Sequence, residues 1–131
     1  MSVARNVETI RRFYGAGPAD DDSARVPFFA PDVVWHVPGE NPVSGPYRGA
    51  AAIRTDMIGR MGPLDEWTIE PIDVMGNDDM VVGYVRIRGR RRGREIETTG
   101  AHAFRFDLEG RVVEAWGFSS NQAELDDFFR A

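Results

Sequence analysis

His36 and His102 are the two side chains whose ordinary pKa, about 6.5, puts proton exchange within reach of neutral pH. An imidazole can act there as a general acid or base, or as a donor that polarises a carbonyl. Composition closes several other chemistries. There is no cysteine, which removes thiol nucleophiles, disulfide scaffolds, zinc ribbons and iron–sulfur clusters together. All 16 basic residues are arginine, so neither a lysine Schiff base nor a lysine-bearing phosphate loop can be built. Asp20, Asp21 and Asp22 stand in a row, but adjacent side chains diverge, and the run reads as a solvated loop and helix cap. Two histidines with scattered acids make no metal-ligand set, and no cofactor is implied. The six arginines from Arg86 to Arg94 form a basic hairpin. They can steer an anionic substrate, but the plainer reading is a protected sheet edge paired with Glu95, Glu97 or Asp73.

The elements that must position these groups fit one domain over residues 1–131. Hydrophobic residues are 42% and charged residues 28%, an ordinary globular balance. A net charge of −5 argues against a dedicated nucleic-acid binder. No apolar run approaches the length of a membrane span, and the first residues lack a signal-peptide core, so a cytoplasmic protein is expected. Val3, Val7, Ile10 and Phe13 or Tyr14 recur at helical spacing behind Ser2, with Gly15 to Pro18 as the stop. A second, short helix is expected from the three aspartates through Phe28 and Phe29, curtailed by Pro27. Residues 33–37 read as a strand, 38–49 as a loop rich in proline and glycine, and Ile53, Met57 and Met61 as one side of a third helix. From Glu66 the period changes to two. Strands are expected over 67–75, 80–89, 94–106 and 111–119, with turns at 76–79, 90–93 and 107–110. Asn121 to Glu124 form a capping box before a helix carrying Leu125, Phe128 and Phe129. Helices segregated from an antiparallel meander mean the α+β class.

Three local signatures accompany that order. They are Ile10-Arg11-Arg12-Phe13-Tyr14, then Phe29 through Gly39 with Tyr47-Arg48-Gly49 behind it, and Phe104 through Trp116. With them the chain resembles the nuclear transport factor 2-like superfamily and, within it, the SnoaL-like polyketide cyclases and ketosteroid isomerase-like proteins. The resemblance covers essentially the whole chain. It implies a cone-shaped, curved antiparallel (mixed) sheet wrapped around N-terminal helices, enclosing an apolar pocket, and a homodimer through the outer sheet face. Carried over by position, the isomerase's general-base aspartate falls on Val37 and its oxyanion-hole tyrosine on Phe13, with Tyr14 adjacent. Its protonated aspartic acid falls on His102. The water-activating set of limonene-epoxide hydrolase falls on Val85, Ile87 and Gly117. Both sets of machinery are therefore incomplete.

Strand parity then sorts the side chains. His102 shares a face with Thr98, Gly100, Phe104 and Phe106, and that larger, more apolar face should turn to the pocket. Val81, Gly83, Val85 and Ile87 should face it too, as should Trp35 and Val37. His36 points the other way, near Glu114 or Trp116, and Trp116 with Phe118 suits a dimer interface. The small residues Ala115 and Gly117 are expected inside, leaving a roomy cavity. The expected site has His102 as its catalytic group. Phe13, Tyr14, Trp35, Val37, Met57, Met61, Val85, Ile87 and Phe104 are expected to contact the ligand, and no metal is expected. Without an acidic neighbour, burial should lower the His102 pKa below its ordinary value. The reading is a cofactor-free cyclase, isomerase or dehydratase-type enzyme for an apolar cyclic or polyketide-like ligand. The alternatives are a non-catalytic ligand-binding or dimerisation module, and an epoxide hydrolase-like enzyme.

Overall fold

The computed structural model describes residues 3–15, 28–77 and 79–131. Helix α1 (Val3–Gly15) buries Ile10 and Phe13, which share its inner face at a spacing of three. The expectations for Ser2, for the stop at Pro18 and for the Asp20 to Pro27 segment lie outside the described residues. Strand β1 (Phe29–Val37) begins four residues earlier than the β-branched run suggests. Phe29 therefore opens a strand instead of closing a short helix.

The 38–49 segment holds an element hidden by its composition. Gly45–Arg48 is a strand, β2, paired antiparallel with β1 so that Pro46 faces His36 and Tyr47 faces Trp35. Proline is tolerated because β2 is an edge. Tyr47 is buried and its hydroxyl donates to the Val43 carbonyl at 2.6 Å. The helical stretch 50–61 follows, in which α2 (Ala50–Ala52) and α3 (Ile58–Met61) flank a π-helical run, Ile53–Met57.

Strands β3 (Glu66–Gly76), β4 (Met80–Arg91), β5 (Arg94–Phe106) and β6 (Val112–Ser119) form the meander, and α4 (Gln122–Arg130) closes the chain. The sheet order is β2-β1-β6-β5-β4-β3, with β1 and β6 parallel and every other pair antiparallel. The six-stranded sheet is curved and unclosed, with bulges near Pro71 and Phe106 that bend it. The β4–β5 turn is tighter than expected. Arg92 and Gly93 both have positive φ, 49° and 76°, which is the two-residue turn whose twist matches the strands it joins.

Arg91 is a correction to the reading of the basic hairpin. It shares the inward face of Val85, Ile87 and Gly89, and only 4% of it is exposed. Its Nη1 donates to the carbonyls of Phe128, Phe129 and Ala131 at 2.9, 3.3 and 3.0 Å, satisfying groups that the end of α4 leaves open. The outward arginines of β4 pair with Glu70, Glu97 and Glu66 at 3.9, 3.6 and 3.9 Å. Asp73 and Glu95 are not the partners of that row. At its other end α4 is capped by Asn121, whose side chain accepts from the Glu124 amide.

The apolar side chains divide into two packed groups. One holds Ile10, Phe13, Val33, Trp35, Val74, Val81, Phe104, Phe106, Val112 and Ala115. The other, under α4, holds Val43, Met61, Ile96, Leu125, Phe128 and Phe129. Val37 and Met57 pack against both.

Candidate functional site

His102 stands in the middle of β5, opposite Gly83 on β4 and Gly117 on β6. Two glycines beside one imidazole are informative, since a mid-strand glycine marks a close approach by something else. Over Gly83 that something is Tyr14, from the last turn of α1. A side chain at position 83 would collide with the Tyr14 hydroxyl and ring. Over Gly117 it is Pro38, whose Cδ would lie 3.2 Å from an added methyl group. The expected roominess beside Gly117 is thus partly filled by Pro38, and Ala115 is fully buried in the first packed group.

Tyr14 and His102 meet directly. The Tyr14 hydroxyl lies 2.8 Å from His102 Nδ1, and the two rings stack at 5.8 Å with 23° between their planes. Trp35 meets the imidazole edge-on at 5.4 Å and Phe104 at 6.0 Å. Phe13 packs on Tyr14, Trp35 and Phe104 at 5.4, 6.1 and 5.6 Å, behind the histidine. Burial among these rings lowers the His102 pKa to about 4 and raises that of the Tyr14 hydroxyl, because both charged forms lose solvation. At neutral pH both groups are therefore uncharged. The other ring nitrogen, Nε2, makes no hydrogen bond among the described residues.

The structure brings Phe13, Tyr14, Trp35 and Phe104 around His102, and it leaves Met61 apart. Met61 belongs to the packed group under α4. Val85 and Ile87 are buried on the inward face of β4 but belong to neither packed group. Along β4 they stand between Val81 of the first group and Gly89, which touches Trp67 and Phe128 of the second. Val37 and Met57 occupy the same interval. Sequence reasoning missed the contact between Tyr14 and His102, although Gly83 was a usable signal. It placed the isomerase's hydroxyl position on Phe13, whose ring is core.

The opposite face of the sheet is built differently. His36 Nε2 lies 2.7 Å from a Glu114 carboxylate oxygen, and its ring stacks on Trp116 at 5.6 Å and 13°. Arg105 reaches the other Glu114 oxygen at 3.2 Å. The His36 hydrogen bond, joined by that of Arg105, holds the Glu114 carboxyl below its usual pKa. Phe118 is 57% exposed there and Tyr84 40%. Two concavities on the molecular surface, of about 410 and 540 Å³, are lined by residues such as Arg12 and Arg111, and Glu95 and Asp127, and neither includes His102. Among the described residues, no group of three or more acids and histidines is placed to hold a metal ion, and no helix is long and apolar enough to cross a membrane.

A family model for the SnoaL-like domain matches residues 10–115, from the inner face of α1 to the buried Ala115 of β6. The chain belongs to the SnoaL-like domain family. The chain is similar to an uncharacterized protein of Mycobacterium tuberculosis (strain ATCC 25618 / H37Rv), 25% identical over 131 residues that span 98% of this chain and 99% of that one. Two solved structures share the architecture. One is a nuclear transport factor 2-like protein of unknown function from Burkholderia pseudomallei K96243, with a TM-score of 0.85, 22% identity and coverage of 97% and 98% of the two chains. The other is TerC co-crystallized with polyporic acid, with a TM-score of 0.83, 18% identity and coverage of 97% and 99%. At those identities the likeness concerns the SnoaL-like fold alone.

Proposed function

We propose that this SnoaL-like chain, acting as one domain over 1–131, holds a small apolar cyclic or polyketide-like molecule in its cone. On this reading it is a cofactor-free enzyme of the cyclase, isomerase or dehydratase type, with His102 as the catalytic group. The observation that carries the reading is the pairing of one neutral imidazole with Tyr14 inside a lining of Phe13, Trp35 and Phe104. Aromatic walls select a flat apolar ligand, and one polar centre orients it. Val37, Met57, Val85 and Ile87, between the two packed groups, are the further ligand contacts in this reading. TerC, which shares the fold, was co-crystallized with a small molecule, polyporic acid.

Mass spectrometry of an extract from the purified protein should detect an apolar ring compound. His102→Phe should keep the fold but fail to turn that compound over. Turnover retained in the variant would favour the second reading, a binding module without catalysis. The residues at the isomerase base and epoxide-hydrolase positions support that second reading, since Val37, Val85, Ile87 and Gly117 carry no acid. They also weigh against an epoxide hydrolase-like enzyme. The proposal includes a cytoplasmic homodimer joined through the outer sheet face around His36, Trp116 and Phe118.

A further inference from the structure

The Tyr14 hydroxyl has one hydrogen-bond partner among the described residues, His102 Nδ1. A phenol carries a proton that needs an acceptor, and a neutral imidazole offers one accepting and one donating nitrogen. If Nδ1 carried the ring proton, it would donate to the phenol oxygen and leave the phenol proton without an acceptor there. If Tyr14 donates to Nδ1, the better donor of the pair meets the better acceptor, and the ring proton sits on Nε2, where it has no partner among the described residues and is left for a ligand. Gly83 permits the arrangement, because Tyr14 lies over the strand where a side chain would collide with it.

We infer that Tyr14 is a positioning residue that holds His102 in the Nε2–H form. His102 thus meets its ligand as a hydrogen-bond donor, and the ligand carries an acceptor oxygen, a ketone carbonyl or the oxygen of an enol, on an otherwise apolar ring. This rests on the cone being the ligand site, as proposed above, and it chooses between the two roles open to His102. A donor polarises a carbonyl and stabilises negative charge developing on its oxygen, as preorganised donors do in other enzymes. The low basicity of His102 agrees, since an imidazole that protonates only near pH 4 is a weak base at neutral pH.

Nitrogen-15 NMR of the free wild-type protein tests the tautomer without any ligand. Expected is an Nε2–H imidazole for His102, with Nδ1 unprotonated and accepting. An Nδ1–H wild-type imidazole overturns the assignment while leaving a cone-bound ligand possible. In Tyr14→Phe, which removes one oxygen, the His102 signals should shift toward a mixture of tautomers, with the fold verified by circular dichroism. An unchanged Nε2–H spectrum in that variant removes the role of Tyr14. The ligand class is tested with 1-tetralone and its hydrocarbon counterpart tetralin as probes. The ketone should move the Nε2–H resonance and tetralin should not; an equal response to the two, or none, overturns the acceptor requirement.

Discussion

At the scale of single residues, the charge state of His102 couples the site to stability. Its folded pKa lies near 4 and its unfolded pKa near 6.5, so between those values the unfolded chain binds more protons. Folding stability therefore rises with pH across that window, and is lost as pH falls from about 6.5 toward 4. The loss should approach on the order of 2 kcal/mol at pH 5. Urea unfolding of wild type and His102→Phe at pH 7 and pH 5 should show a steeper decline for the wild type; parallel declines would mean that the imidazole is better solvated than its ring neighbours imply. The acids Asp107, Glu114 and Asp126 add their own losses at lower pH, since hydrogen bonds hold each carboxyl below its ordinary pKa. Parity alone placed His102 on the inward face. Its Tyr14 partner was not legible in the same way, because a helix-to-strand contact across 88 positions leaves no local period.

At the scale of elements, small features decide which strand meets which helix. Gly83→Ala should displace Tyr14 from β4 and break its hydrogen bond to His102, at a cost of about 1–3 kcal/mol for the overpacked methyl group. Denaturant unfolding measures the cost, and the His102 ring signals report the lost contact. Arg91→Met keeps an apolar stem but strands the carbonyls at the end of α4, and should cost about 1–3 kcal/mol. Hydrogen exchange should then quicken over 122–130 more than over β4. The alternation that put Val85 and Ile87 inside reaches Arg91 only because β4 runs past the turn expected at 90–93, so the run of arginines hid this role. Strand β2 was less so. Gly45 and Pro46 are turn formers by composition, and an edge is the one place in a sheet where such residues cost little.

For the whole molecule, the class and the order of elements from β3 to α4 followed from the change in hydrophobic period at Glu66, because one sheet face must stay apolar over four successive strands. The proposed dimer belongs to this scale. A two-fold contact over Trp116, Phe118 and His36 should bury on the order of 800 Å² per partner. Light scattering at tens of micromolar should give twice the chain mass, and Phe118→Glu should halve it; a monomeric wild type would discard the contact.

The parallel junction of β1 with β6 constrains the timing of assembly. During synthesis, β3, β4 and β5 can pair with one another as they emerge, and β1 can pair with β2, but among the described residues no backbone hydrogen bond links the two parts until β6 is made. A nascent chain that stops before Val112 therefore leaves unpaired edges on both β1 and β5. Such edges are the surfaces through which half-made chains aggregate, so the last strand both completes the sheet and closes the two edges that its absence leaves open.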